Sequence, residues 1–442
     1  MKTRQDAFRL NRRSLVAGSA AAAGAAAMSR GPRVRAQDAP VELRWSMWAA
    51  TEEEIAVWED LAADVTIAHP NITVTLETTS FADYWDKLQT QLASGTEADI
   101  VAMQSLRMPV FAARDALRPL GPFVEADPDV NPDDFFEPIR NGLSFKDEMY
   151  AFGYDLGPIM LFYNKDLFEA KGVEPPSATE PMTWEVFKEK ATALTDAAAG
   201  EYGYVIQPGF TGTIPWIWSG GGEYLNAEET ESPIDSPEAL AALNFVVGMI
   251  TEEKIAAPIT DLANAQFASE AFYSGKVGMA QNGPWEFVNM RSKAPFAFDV
   301  VPLPAGPGGS VTWVAGSGFG ISNTTPNADA AWLALKVITS TESLMKTAAA
   351  GRGYPARQSA VPSFIDPAAP PENVAVVEGI LANEMAQSRF LQTTTTWQET
   401  EVMLTQDFNP IFLGEQTVEE VVANVKPKFD DLLERHQELL NR

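Results

Sequence analysis

The sequence predicts an α/β fold in two parts, and three observations carry that reading. Residues 41–103 alternate strand and helix patterns in the order β-α-β-α-β, which is how an open α/β sheet with helices on both faces is written. A strand-rich pattern restarts near residue 150, as a second lobe would. The roughly 400 residues that follow the N-terminal leader exceed what a single core fills.

Taken in order, Val41-Glu42-Leu43-Arg44-Trp45-Ser46-Met47 alternates apolar and polar residues and reads as a strand ending near Met47. Thr51 before Glu52, Glu53 and Glu54 is a helix N-cap with an acidic first turn, and Ile55, Trp58, Leu61 and Ala62 follow at helical spacing. Ile72–Leu76 is a second strand, Tyr84–Ala93 a second helix stopped by Gly95, and Asp99–Met103 a third, parallel strand. Open sheets of this kind bind ligands beyond the carboxyl ends of their strands, which singles out Trp48 and Gln104-Ser105. Ile159–Tyr163 reads as a strand, Thr183 caps a helix, and Gly200–Ile206 is a turn and strand. Residues 208–226 are Gly-rich and read as an irregular loop carrying Trp216 and Trp218. Ser236-Pro237 opens a helix, with Ser at the cap and Pro in the first turn. A turn at Ser274-Gly275-Lys276 leads into a strand near Ala280, and the Pro/Gly-rich stretch 300–307 is suited to a crossing between lobes. Val311–Ser322 resumes strand character and the C-terminal third is helical.

The leader, residues 1–36, has the three parts of an export signal. A basic region ends in Asn11-Arg12-Arg13-Ser14-Leu15, a twin-arginine pattern. A weakly apolar Ala/Gly run extends to Ala27, and Val34-Arg35-Ala36 offers a small-residue cleavage site. An ordinary secretory route is the alternative. The Ala/Gly run is too short to span a bilayer, which takes roughly 20 apolar residues. The leader holds eight of the 32 Lys and Arg and one of the 60 Asp and Glu, so the remainder has 24 basic and 59 acidic side chains, a net of −35. Such a chain repels nucleic acid and anionic membrane surfaces. With no Cys there is no disulfide framework, thiolate metal site or lipid-modified cysteine. The mature protein is therefore expected to be soluble in a periplasm. His69 and His436 sit in polar contexts and read as surface residues, so no metal or cofactor is expected.

The eleven Trp pose the question of function. Aromatic rings stack on the C–H faces of sugars while carboxylates, amides and Arg hold the hydroxyls. Trp48, Trp216, Trp218, Trp285 and Trp313 lie in predicted loops or beside Gly, and at least two of them are expected to face a ligand; Trp58, Trp184 and Trp332 lie on helical stripes and read as core. Asp155 and Arg357 are ligand candidates, each balanced by a turn-capping or packing role, whereas Glu286 reads more simply as the start of a helix. Gly316-Ser317-Gly318-Phe319-Gly320 has glycine spacing like a phosphate loop, but no Gly-Lys-Ser/Thr follows it. No catalytic constellation stands out.

Several segments resemble the family 1 extracellular solute-binding proteins, the carbohydrate-type binding components of ABC transporters. Phe81–Leu88 through Ser94-Gly95 and Ala98–Val101 resemble that family's first lobe. Tyr150-Ala151-Phe152 with Leu161–Phe168 resembles its YAxP…YNKDLF signature, with Gly153 in place of Pro; Thr183–Phe187 resembles its TWEEF helix. Phe272–Met279 with Gly283-Pro284-Trp285 resembles FxxGKxAM…GxW, and Tyr354-Pro355-Ala356-Arg357 its late GxPxR motif. The segments run in family order over nearly the whole mature chain. The resemblance implies a type II-like periplasmic binding protein fold, two lobes joined by crossing strands that close on a ligand, and delivery to a membrane permease. Carried over by position, it places ligand contacts at Trp48, Gln104, Ser105, Asp155, Trp216 or Trp218, Trp285, Gly316 and Arg357. Crossings near 152–156, 303–311 and 357–363 make 40–152 with 311–357 one lobe and 153–310 with 358–442 the other.

The function expected is a monomeric carrier for a carbohydrate. An exported polysaccharide-active enzyme and the same carrier fold binding a polyamine or other charged solute are the alternatives. Because Asp155 is the one carboxylate singled out for the cleft, binding is expected to depend weakly on salt.

Overall fold

The computed structural model describes residues 39–441, apart from 208, 261–263, 265 and 365–368. Residues 1–36, expected to be an export leader, lie outside the described residues. In chain order the strands are β1 Val41–Trp48, β2 Ile72–Thr79, β3 Ile100–Gln104, β4 Ser144–Phe145, β5 Glu148–Met149, β6 Ala151–Pro158, β7 Met160–Asn164, β8 Tyr202–Val205, β9 Val277–Asn282, β10 Phe298–Val301, β11 Val311–Ile321, β12 Tyr354–Pro355 and β13 Gln387–Phe390.

Two sheets organise the α/β fold. The first runs β12-β6-β11-β3-β1-β2, with β13 also pairing β11; the second runs β10-β7-β9-β8. β1 pairs in parallel with both β2 and β3, as the opening β-α-β-α-β order requires. The helices between them, Glu52–Ala68 and Phe81–Ser94, start where Thr51 and Ser80 accept from backbone N–H groups three residues on, and Gly95 closes the second in the left-handed region. Trp58, Leu61 and Val65 are fully buried, so the helical stripe read from the sequence is the face that packs on the sheet. The C-terminal region is helical through Trp397–Phe412 and Val418–Leu440. Among the described residues no helix is long and apolar enough to cross a membrane.

Long antiparallel β11 links the halves of the first sheet, pairing β3 on one side and β6 on the other. Its glycines allow close approach: a Cβ on Gly316 would lie 2.4 Å from the Asp155 carbonyl oxygen. The Gly316–Gly320 run is therefore the interior of a strand that continues to Ile321, and not a loop opening directly into a helix N-terminus. β6 stays paired to β11 as far as Pro158, so the chain leaves the first sheet at Ile159, later than the 152–156 expected. It returns through 302–310, between β10 and β11; after β12 it meets the second sheet's side at Phe364, Glu372 and Asn373 before β13 pairs with β11.

Three expectations need correction. Residues 210–219 form a helix rather than a loop, and Trp216 and Trp218 are buried on it. Trp216 packs against Trp184, Phe187, Tyr204 and Phe245, and its Nε1 donates to Gln281 Oε1 at 2.9 Å. Trp218 packs at a tilt against Tyr224, with the Arg389 guanidinium 5.2 Å above it. His436 is buried on the apolar face of the last helix, where Nδ1 meets the Thr395 hydroxyl at 3.0 Å and Nε2 meets Glu229 at 3.0 Å; it ties the C-terminal helix down.

Candidate functional site

A cavity of about 210 Å³ lies between the two sheets. The first sheet contributes Trp48 at the end of β1, Gln104 at the end of β3, Tyr154 and Asp155 from β6, and Trp313 and Ala315–Ser317 from β11. Opposite them stand Gln281 and Asn282 at the end of β9, followed by Trp285, Glu286 and Asn289. The carboxyl ends of β1 and β3 thus open onto the cavity, as the topology of an open sheet requires.

The aromatic surfaces are held by local features of the chain. Trp285 and Trp313 lie nearly parallel, 15° apart with ring centroids 6.1 Å apart, one from each side of the crossing. Gly283 sits under the Trp285 ring; a Cβ there would lie 2.2 Å from it. Trp313 is fixed by an Nε1–H bond to the Thr211 carbonyl at 3.2 Å. That carbonyl is spare because Pro215, four residues on in the same helix, has no N–H to offer it. Trp48 leans on Phe81, Tyr84 and Trp85 with its remaining surface at the cavity wall. Gln281 is anchored on three sides: it accepts from Tyr204 and Trp216 and donates to the Gly212 carbonyl at 2.8 Å.

The charged groups form two sets. Arg352, 4% exposed, places Nε 2.8 Å from Glu54 Oε1 and Nη1 3.5 Å from Asp155 Oδ2, and Nη2 donates to the Tyr154 hydroxyl at 3.3 Å. Asp155 also accepts from the Ser317 N–H at 2.8 Å. Burial pushes the Asp155 carboxyl up to about 7 against the pull of Arg352. Burial and the neighbouring Glu54 push Glu286 up to about 8. At the far rim Arg107 pairs with Glu401 and Gln104 and stacks 4.5 Å from the Trp85 ring.

Of the residues singled out from the sequence, Trp48, Gln104, Asp155, Trp285 and Gly316 line the cavity, as does Trp313. Trp216 and Trp218 do not. Ser105 is buried behind β11, its hydroxyl accepting from the Gly316 N–H at 3.2 Å, so it supports the wall instead of forming it. Arg357 lies outside the cavity: it pairs with Asp134 at 3.1 Å, donates to the Thr339 carbonyl and sits 4.0 Å over Phe135. The guanidinium at the site belongs to Arg352, in the same Gly351–Arg357 run. Glu286 both starts the helix Phe287–Lys293 and lines the cavity, so the helix-start role read from the sequence was only half of its place.

Known proteins resemble this chain in sequence and in fold. The chain shares 27% identity over 247 residues with a binding protein of Brucella abortus, an overlap of 55% of this chain and 58% of that one, so it spans a little over half the length of that relative. A maltotriose-binding protein of Pyrococcus abyssi is 25% identical over 68% of this chain and 63% of its own. Among solved structures, an ABC substrate-binding protein of Listeria monocytogenes in complex with cycloalternan matches 89% of this chain and 99% of its own at TM-score 0.83 and 24% identity. A solute-binding protein of Thermotoga lettingae bound with α-D-tagatose matches 89% and 99% at TM-score 0.78 and 20% identity. The model of the bacterial extracellular solute-binding proteins matches residues 49–345, and the chain belongs to that family.

Proposed function

We propose that this protein captures a saccharide outside the cytoplasm by closure of two lobes and delivers it to an ABC transporter permease. The observation that carries this reading is the Trp285–Trp313 pair set in a cavity whose walls supply the amides of Gln104, Gln281, Asn282 and Asn289. Flat apolar faces with fixed donors and acceptors suit a polyhydroxylated ring. Relatives in the family that bind maltotriose and lactose support the same ligand class. The family is one of binding proteins, so oligosaccharides are expected to bind stoichiometrically without product release. A thermal-shift screen over mono- and oligosaccharides, polyols and phosphate esters tests the reading, since a ligand that binds only the folded state raises its melting temperature. A screen in which no saccharide raises it overturns the reading.

Trp285→Ala is expected to weaken saccharide binding by about 2 kcal/mol, the scale of an aromatic anchor, with little loss of stability. Titration calorimetry beside thermal melting decides: a variant that melts early but keeps its affinity makes Trp285 a packing residue.

The sheets support crossings at Ile159 and 302–310, and we assign 40–158 with 311–355 to one lobe and 160–301 to the other. Thr51 donates to Asn289 at 3.2 Å and the Val288 N–H to the Gly351 carbonyl at 3.0 Å, so the lobes meet beside the cavity. Small-angle scattering is expected to show a smaller radius of gyration on saturation than without ligand. An unchanged radius argues against closure.

A further inference from the structure

The sequence singled out one carboxylate for the cleft; the cavity has four, Glu54, Asp155, Glu286 and Glu401, against two guanidiniums, Arg107 and Arg352. The guanidiniums are already committed. Arg107 pairs with Glu401, and Arg352 is shared between Glu54 and Asp155. Glu286 is left over. It is 5% exposed, it lines the cavity, and its Oε1 is buried with no hydrogen-bond partner. Lys293, at the far end of the helix that Glu286 starts, is exposed and sits 5.4 Å over the Tyr273 ring. Among the described residues the acidic side chains are not grouped as metal ligands, so the surplus is not arranged around a metal ion.

A buried, unpartnered carboxylate oxygen costs roughly 1–3 kcal/mol, and more when charged, so a wall that carries one has a ligand group in which to recover it. A sugar hydroxyl can hydrogen-bond to the carboxyl but brings no charge that favours its ionised form. An ammonium supplies up to three donors and the missing positive charge in a site shielded from water, where charge-assisted bonds are strongest. Trp285, adjacent in sequence, adds an aromatic face to which a cation is attracted.

We infer that the cleft takes an aminated saccharide, with the protonated amine against Glu286 and the sugar ring on Trp285 and Trp313. This rests on the saccharide reading above and narrows it. The groups facing Glu286 are Glu54 and Arg352 across the cavity, Asn289 on its own helix, and the more distant Lys293. Glu286 therefore loses its proton when the ammonium arrives, and binding releases a proton to the buffer.

The test is calorimetry with four probes: the β-1,4-linked disaccharide of glucosamine, its di-N-acetyl form, cellobiose, and spermidine. The free-amine disaccharide is expected to bind at least about tenfold more tightly than either neutral disaccharide. In buffers of different ionisation enthalpy it shows proton release on binding. In Glu286→Gln the advantage falls to less than about threefold, while proton linkage in the parent protein decides the same question should that variant fold poorly. Cellobiose or the acetylated disaccharide binding as tightly as the amine overturns the inference and leaves saccharide capture standing. Spermidine binding where no saccharide binds overturns both in favour of a polyamine carrier, and no binding by any probe overturns the inference and leaves saccharide capture to the broader screen above.

Discussion

Arg352→Met unfolds at much lower denaturant than the parent, by a margin of about 3–5 kcal/mol at pH 8. The reason lies in what remains. Methionine fills much of the space, but Glu54 and Asp155 lose the guanidinium that stands 2.8 and 3.5 Å from them, and both are at least nine-tenths buried. Two carboxylates are then left together in a site of low dielectric, where each disfavours the charge of the other. The Tyr154 hydroxyl loses its donor, and the rings of Trp58 and Tyr154 lose a cation 5.3 and 5.6 Å away. The deficit has a pH signature. Asp155 already holds its proton up to about 7, so acidification neutralises it and the gap between variant and parent narrows toward pH 5. Urea melts of both proteins at pH 5 and pH 8 read this directly. A deficit below about 1 kcal/mol at pH 8 would falsify the view that Arg352 holds the cavity wall together.

How much of this was legible in the sequence depended on whether local pattern or tertiary pairing decided the outcome. The first three strands and two helices follow from alternation, caps and a C-terminal glycine, and the packing respects each of those signals. The helix at 210–219 was hidden by its own punctuation. Gly209, Gly212, Pro215 and Gly220 read as a loop, yet tertiary packing of Phe210, Ile214, Trp216 and Ile217 overrides the propensities. Two tryptophans assigned to the ligand are consequently core. The choice between Arg352 and Arg357 was undecidable locally, because both flank the two-residue strand β12 and only the pairing of that strand with Leu156 and Asp155 puts the first beside the cavity. His436 did carry a signal. It follows Leu432 and Leu433 at helical spacing, which places it on the buried face of the last helix. Glu286 carried none beyond its place at a helix start, since its isolation is a property of what the opposite lobe fails to offer it.

The ligand-free protein is expected to lose stability as pH rises from 5 to 8, the reverse of what paired surface carboxylates produce. Glu286 is the main cause. Its folded-state carboxyl titrates near 8 against an ordinary 4.5, so the folded state binds a proton that the unfolded chain has already released. The stabilisation from this group is complete below the unfolded value and is withdrawn as pH climbs through the folded one. A shift of that size corresponds to something on the order of 5 kcal/mol between the two limits. Asp155 acts in the same direction through about 7, since its pKa is also raised by burial. Glu286→Gln keeps the shape and removes the titration, so it should be more stable than the parent at pH 8 and its profile should be flatter from pH 6 upward. Unfolding midpoints of both proteins across pH 5–8, without ligand, make the comparison. A parent profile that is flat or rising, or a Glu286→Gln profile as steep as the parent's, would mean that the carboxylate is charged in the free protein and solvated by means other than the neighbours described here.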